Sequence, residues 1–244
     1  MQIHIFKNAQ QVGQAAATLI ASQILRKPES ILGLATGSSP LPTYAALVDM
    51  HQADVLDFSR VISFNLDEYV GIDPEHVCSY HRFMQDNLFS QVNIKPENVH
   101  IPDGNAKDLQ ASAQAYDEAI AAAGGIDLQL LGIGRNGHIG FNEPGDLFVY
   151  GCHEVALSQS TIEANTRFFD SEKDVPRSAV SLGIGSIMQA HEVLLIATGA
   201  DKAEAIRQAL EEDVSPMCQA SILRTHPNAL FLLDEAAASL LQHQ

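Results

Sequence analysis

Three short segments hold residue types that can do chemistry. Asn65-Leu66-Asp67-Glu68-Tyr69 sets two adjacent acids in a loop directly after an apolar strand. Neighbouring side chains there point in different directions, so one acid can face a pocket as a base while the other makes structural hydrogen bonds. Partial burial raises a carboxylate towards the working pH, which a general base needs. The run from Leu130 to Gly145 contains His138 and Glu143 among glycines. Their separation of five is not the HExxH spacing and no third ligand lies nearby, so no metal is expected. A histidine oriented by a carboxylate is instead an acid–base arrangement. In Thr36-Gly37-Ser38-Ser39-Pro40, backbone N–H groups and hydroxyls between a strand and a helix can cradle a phosphate. Gly37 permits a tight turn, Ser39 reads as the N-cap and Pro40 as the first helical residue. The Gly-Lys-Ser/Thr ending of a Walker A loop is absent.

Gly132, Gly134 and Gly137 also spell GxGxxG after a strand, the signature of dinucleotide binding. That motif must open a helix. Gly140, Pro144 and Gly145 do not sustain one, so the glycines are read as bending the backbone around a ligand.

These segments need a scaffold. Strands are expected at Ile3–Phe6, Ile31–Ala35, Val61–Leu66, Leu128–Leu131, Val193–Ala197 and Ala229–Leu233. Helices are expected over about Ala9–Arg26, Leu41–Met50, Tyr80–Phe89, Ala106–Ala122 and Asp201–Glu211, the fourth stopped by Gly124-Gly125. Such alternation predicts an α/β fold, a mostly parallel sheet flanked by helices on both faces. Ligands of open sheets of this kind collect at the carboxyl ends of strands, where all three segments fall. Without repeats or a linker, one domain over residues 1–244 is expected.

Composition narrows the partners. The chain is 46% apolar and 18% charged, an ordinary globular balance. Its net charge of −16, with only 14 Lys and Arg, excludes nucleic acid as a partner, which needs a concentrated basic face. An anionic substrate must then depend on a few well-placed cations and on backbone amides. No apolar run approaches the roughly 20 residues of a membrane span, and Met1–Phe6 lacks the pattern of a signal peptide. Cys78, Cys152 and Cys218, far apart and without CxxC spacing, read as reduced thiols of a cytoplasmic protein.

Taken together, Thr36–Pro40, Phe64–Tyr69 and Gly134-Arg135-Asn136-Gly137-His138-Ile139-Gly140-Phe141-Asn142-Glu143-Pro144 resemble the glucosamine-6-phosphate deaminase family. So do Asn165-Thr166-Arg167-Phe168-Phe169, Gly199-Ala200-Asp201-Lys202-Ala203 and Thr225-His226-Pro227, in the family's order across nearly the whole chain. The resemblance implies a modified Rossmann-like fold with no metal or organic cofactor, acting on an amino-sugar phosphate. It implies that Asp67 moves a proton between C2 and C1 and that His138, polarised by Glu143, opens the pyranose ring. Arg167 and Lys202 would bind the phosphate with the loop of Thr36, Gly37, Ser38 and Ser39. Residues from about 145 to 176 would be a mobile lid.

Two departures stand out. Asn136 occupies a place where some members carry an Asp that helps orient the histidine, and an amide cannot stabilise imidazolium electrostatically. Members activated by N-acetylglucosamine 6-phosphate hold its phosphate with basic residues after the Glu-Pro turn. Asp146–Val155 has no Lys or Arg, offering His153 and Val155 instead, so no such activation is expected, and a monomer or small homo-oligomer is. Competing readings are a galactosamine-6-phosphate deaminase, a 6-phosphogluconolactonase of the same fold, and a non-catalytic sugar-phosphate sensor. A lactonase has no need of a C2 base, and a sensor no need of Asp67 together with His138.

Overall fold

The computed structural model describes residues 1–242. In chain order its strands are β1 (Gln2–Phe6), β2 (Ile31–Leu34), β3 (Ile62–Asn65), β4 (Asp67–Tyr69), β5 (Val99–His100), β6 (Leu128–Leu131), β7 (His153–Ala156), β8 (Ser178–Ser181), β9 (Glu192–Ala197) and β10 (Ala229–Asp234). The helices are α1 (Ala9–Arg26), α2 (Leu41–Gln52), α3 (Tyr80–Asn87), α4 (Leu109–Ala123), α5 (Gln159–Asn165), α6 (Ile184–Met188) and α7 (Ala203–Glu211).

Seven strands pair in the order β1-β10-β9-β6-β2-β3-β5, every pairing parallel. The central strands are apolar runs such as Leu128-Gln129-Leu130-Leu131, buried on both faces, as a sheet covered by helices requires. Strand order reverses between β2 and β6, where the chain, having laid β3 and β5 on one side, returns to the other. A crevice opens there at the carboxyl ends. The segments after β2, β3, β6 and β9 all reach it, so the topology alone gathers residues far apart in sequence. The α/β expectation holds, and among the described residues no helix is long and apolar enough to cross a membrane.

The structure also corrects several details. Leu66 separates β3 from a new strand, so Asp67 lies in β4 rather than in a loop. β4 pairs antiparallel with β8, and β8 with β7, as a second, three-stranded sheet absent from the expectation. The reason is compositional: Asp67-Glu68-Tyr69, His153-Glu154-Val155-Ala156 and Ser178-Ala179-Val180-Ser181 are too short and polar to read as strands alone. The first and third become buried as the three pair, while the His153–Ala156 strand stays at the half-exposed edge. A small core of Tyr69, Phe141, Leu157, Ile162, Val175 and Ala179 closes against this sheet. Two elements, β7 and α5, fall in the segment expected as lid.

Ser39 does not cap α2. The helix starts at Leu41 with Pro40 as its flanking residue, in helical geometry, without a side-chain cap. Pro40 is already in helical geometry at φ −79°, its carbonyl accepting the N–H of Tyr44, and Pro42 has no N–H to give a Ser39 cap. Asp108, not the region of Ala106, starts α4, its side chain accepting from the N–H of Ala111.

Candidate active site

The crevice is a cavity of about 710 Å³. Asp67 and His138, 71 positions apart, both line it. Their juxtaposition comes from β8. Ser181 is the register partner of Asp67, and its Oγ accepts the N–H of Phe141 at 3.0 Å, pinning the loop after β6 to the second sheet. Asn142 fastens the same loop by donating to the carbonyls of Ile139 and Leu182, each at 2.8 Å. Gly140, at φ +57°, lies so close that a Cβ there would stand 2.9 Å from Ser181 Oγ and 3.6 Å from Asp67 Oδ2. The loop and the carboxylate are packed as one unit.

Asp67 is 6% exposed, and among the described residues no donor reaches its carboxylate. Burial, and next the neighbouring charge of Glu68, push its carboxyl up to about 8. Glu68 points away from the cavity, into the start of α3. The two acids divide as adjacent side chains on a strand must, towards opposite faces.

His138 sits in the space that a side chain at residue 134 would fill: a Cβ on Gly134 would lie 2.3 Å from its Cε1. Its Nδ1 is 3.5 Å from Glu143 Oε2, an ion-pair distance rather than a hydrogen bond, and has no hydrogen-bonded partner among the described residues. Glu143 stands behind the ring, off the cavity wall. Burial pushes its carboxyl up, but His138, the Thr161 hydroxyl and the Asn136 amide together bring it down to about 2. Ser158 N–H adds a donor at 3.2 Å to Oε1. Among the described residues Asn136 makes no hydrogen bond to the imidazole. Its Nδ2 donates to Glu143 Oε2 at 2.7 Å and its Oδ1 accepts from the backbone N–H of His138 at 3.3 Å. The amide thus shapes the turn and fixes Glu143, where the sequence suggested a partner for the ring.

Thr36, Gly37, Ser38 and Ser39 line the cavity after β2. Gly37 has φ +95°, a backbone conformation that side chains rarely adopt, with nothing near where its Cβ would be. Arg167 and Lys202 line the same cavity, joined by Arg135. Arg167 stacks on Phe168, its Cζ 4.6 Å from the ring centre, and Arg135 pairs with Asp201 at 2.9 Å. Lys202 is held below its ordinary value, mainly by burial, with Asp201 opposing and Arg135 and Arg167 reinforcing the effect. Three of the chain's 14 Lys and Arg therefore meet at one cavity of a strongly acidic protein. That cluster suits an anion with more than one negative charge.

Arg135 did not stand out from the sequence because it lies inside a glycine turn, and only the adjacency of β6 and β9 brings it to Lys202. Tyr69, Tyr80 and Phe141 form an apolar wall, with Tyr80 and Phe141 stacked at 6.0 Å. Asn165 of α5 donates to the Tyr69 hydroxyl at 2.9 Å, and Cys78 donates to the carbonyl of Phe168 at 2.8 Å. Among the described residues no three His, Cys, Asp or Glu side chains gather as a metal site.

The sequence profile of the family described as glucosamine-6-phosphate isomerases/6-phosphogluconolactonase matches residues 7–231. The glucosamine-6-phosphate deaminase of Thermoanaerobacter pseudethanolicus is 48% identical over 241 residues, spanning 99% of this chain and 95% of its own length. That of Clostridioides difficile is 50% identical over 241 residues, spanning 99% and 97%. A solved structure of a monomeric glucosamine-6-phosphate deaminase superposes with a TM-score of 0.96 at 42% identity, covering 98% of this chain and 100% of that one.

Proposed function

Since the chain belongs to the family of glucosamine-6-phosphate isomerases and 6-phosphogluconolactonases, we propose that it converts glucosamine 6-phosphate to fructose 6-phosphate and ammonia, with Asp67 and His138 moving the protons. The observation that supports this reading best is a buried carboxylate and an imidazole on one cavity that also gathers three cations and the 36–39 turn.

The substrate enters as a closed ring. His138 passes a proton to the ring oxygen as the anomeric hydroxyl gives one up, freeing the aldehyde. Asp67 then takes the C2 proton while the proton given up by the anomeric hydroxyl, held by His138, returns to the C1 oxygen, so that the electrons left behind form an enolamine at C1–C2. The same carboxyl returns the proton to C1, leaving an imine at C2. Water adds there, and the carbinolamine expels ammonia to give the ketone. Each positioned transfer contributes about 10²- to 10⁴-fold. Arg135, Arg167, Lys202 and the amides of residues 37–39 hold the phosphate, aligning the reacting carbons by binding energy remote from them.

Incubation with glucosamine 6-phosphate, without added metal or nicotinamide, is expected to release ammonia and fructose 6-phosphate in equal amounts. Turnover of 6-phosphogluconolactone in its place would overturn the assignment, and a parallel assay on galactosamine 6-phosphate reads the preference at C4.

Arg167→Ala is expected to raise KM by about 10- to 100-fold, the worth of one charge-assisted contact to a phosphate, with kcat within a few-fold. A fall in kcat at unchanged KM would move Arg167 to the reacting end.

We also propose that residues 145–176 act as a lid on a single working domain. Support comes from their attachments at the cavity rim: Ser158 to Glu143, Asn165 to Tyr69 and Phe168 to Cys78. The lack of any Lys or Arg in Asp146–Val155 supports a monomer or small homo-oligomer without activation by N-acetylglucosamine 6-phosphate. Three free thiols suit a cytoplasmic setting.

A further inference from the structure

Glu68 follows Asp67 in β4, and the reaction as written leaves it without a task. Its side chain is 2% exposed and fully engaged. Oε1 accepts the backbone N–H of Tyr69 at 2.9 Å and of Tyr80 at 3.0 Å. Oε2 accepts the N–H of His81 at 3.0 Å and pairs with the His81 ring Nδ1 at 2.9 Å. Four donors converge on an acceptor-only group, the arrangement an ionised carboxylate fills and an amide cannot.

Among the described residues no cation offsets that charge at Asp67. From α3 the group near Asp67 is the phenol of Tyr80, from α4 that of Tyr116, and from the segment before β7 the thiol of Cys152. Its own strand adds Tyr69, and β8 offers the Ser181 hydroxyl. His138, backed by Glu143, lines the cavity from the loop after β6. Lys202 feels Asp201, Arg135 and Arg167, whereas Asp67 responds to burial and to Glu68.

We propose that Glu68 is a positioning residue that makes Asp67 a stronger base: its fixed charge opposes loss of the Asp67 proton, and its four hydrogen bonds hold β4 against α3. The proposal rests on Asp67 being the base. A proton on carbon is hard to remove, so a base gains from higher basicity up to the pH at which it works. The carboxyl's position at about 8, set first by burial and then by Glu68, agrees with this. The motif thus pairs a base with a neighbour that tunes it.

The test is the pH profile of kcat/KM in the full chain. Because the base must be ionised, kcat/KM rises with pH and levels off above the Asp67 value. Glu68→Gln removes the opposing charge, so the rising limb is expected to move down by about one pH unit, while the plateau of kcat falls roughly threefold as the base weakens. Glu68→Asp keeps the charge, and its limb is expected to stay with that of the parent. His81→Lys brings a permanent cation to Oε2 with the carboxylate intact, and is expected to lower the limb by a smaller amount. It decides the matter if Glu68→Gln fails to fold. A limb unmoved in the variants that fold, or moved as far by Glu68→Asp as by Glu68→Gln, would overturn the proposal and leave Glu68 a structural cap. Turnover surviving in Asp67→Asn would remove the base itself and this inference with it, an outcome distinct from an unmoved limb.

Discussion

Asp67→Asn is expected to lower kcat by about 10³-fold or more while KM stays within roughly threefold. The substitution is close to isosteric, so the cavity keeps its shape. The carboxylate it replaces receives no hydrogen bond among the described residues, so no surrounding donor loses its partner. A neutral amide also enters an apolar site more easily than an ionised carboxylate, so the variant should fold at least as stably as the parent near and above pH 8. What is lost is the carboxylate proposed to take the proton from C2. Arg135, Arg167, Lys202 and the 36–39 turn are untouched, and calorimetric titration with glucosamine 6-phosphate is expected to give the parent's affinity within a few-fold. In the parent, the base is lifted to about 8 and must be ionised to act. Its kcat/KM is therefore expected to climb with pH and to lie roughly a hundredfold below the plateau at pH 6. Ammonia release at the parent rate in Asp67→Asn would reject Asp67 as the base.

The parts of this fold that could be read in the sequence are those decided locally. The strands β2, β3, β6, β9 and β10 are apolar runs between turn residues, and their two-sided burial follows from composition alone. The second sheet could not be read this way. Asp67-Glu68-Tyr69 and Ser178-Ala179-Val180-Ser181 gain their burial only from each other, across more than a hundred residues. The same distinction runs through the site. Asp67 and His138 drew notice because an acid after an apolar strand and a histidine among glycines are unusual in themselves. Arg135 did not, because its meaning depends on β9 lying beside β6. Asn136 lies two residues from the histidine in sequence, yet the turn aims its amide seven residues ahead, at Glu143. Ser39 failed as a cap because Pro40 had already fixed the first helical turn.

A strand forces residues 67 and 68 to opposite faces, so one acid reaches the cavity only if the other is buried in the scaffold. A lone buried acid would be a weaker arrangement, because its environment would depend on burial alone. With Glu68 locked onto α3, the charge beside the base is as rigid as the helix that holds it.

His138→Gln is expected to lower kcat/KM on glucosamine 6-phosphate by about 10²- to 10³-fold, and much less on an open-chain analogue unable to close a pyranose ring. Glutamine can offer a hydrogen bond from nearly the same place, in the space left by the missing side chain of Gly134, but it cannot carry a proton from one oxygen to another. If ring opening is the task, the cyclic substrate suffers and a substrate already open escapes. The distance between His138 and Glu143 bears on this. At 3.5 Å the pair is loose, and Glu143 is held by Asn136, Ser158 and Thr161 as well. Two of those three lie at the start of α5, within the proposed lid, so movement of that segment on binding would shift Glu143 and tighten it on the ring. Hydrogen bonds of this kind are often long before substrate arrives. An equal loss on both substrates would place His138 at the later proton transfers instead, sharing C1 and C2 with Asp67, and the ring would then need another acid to open it.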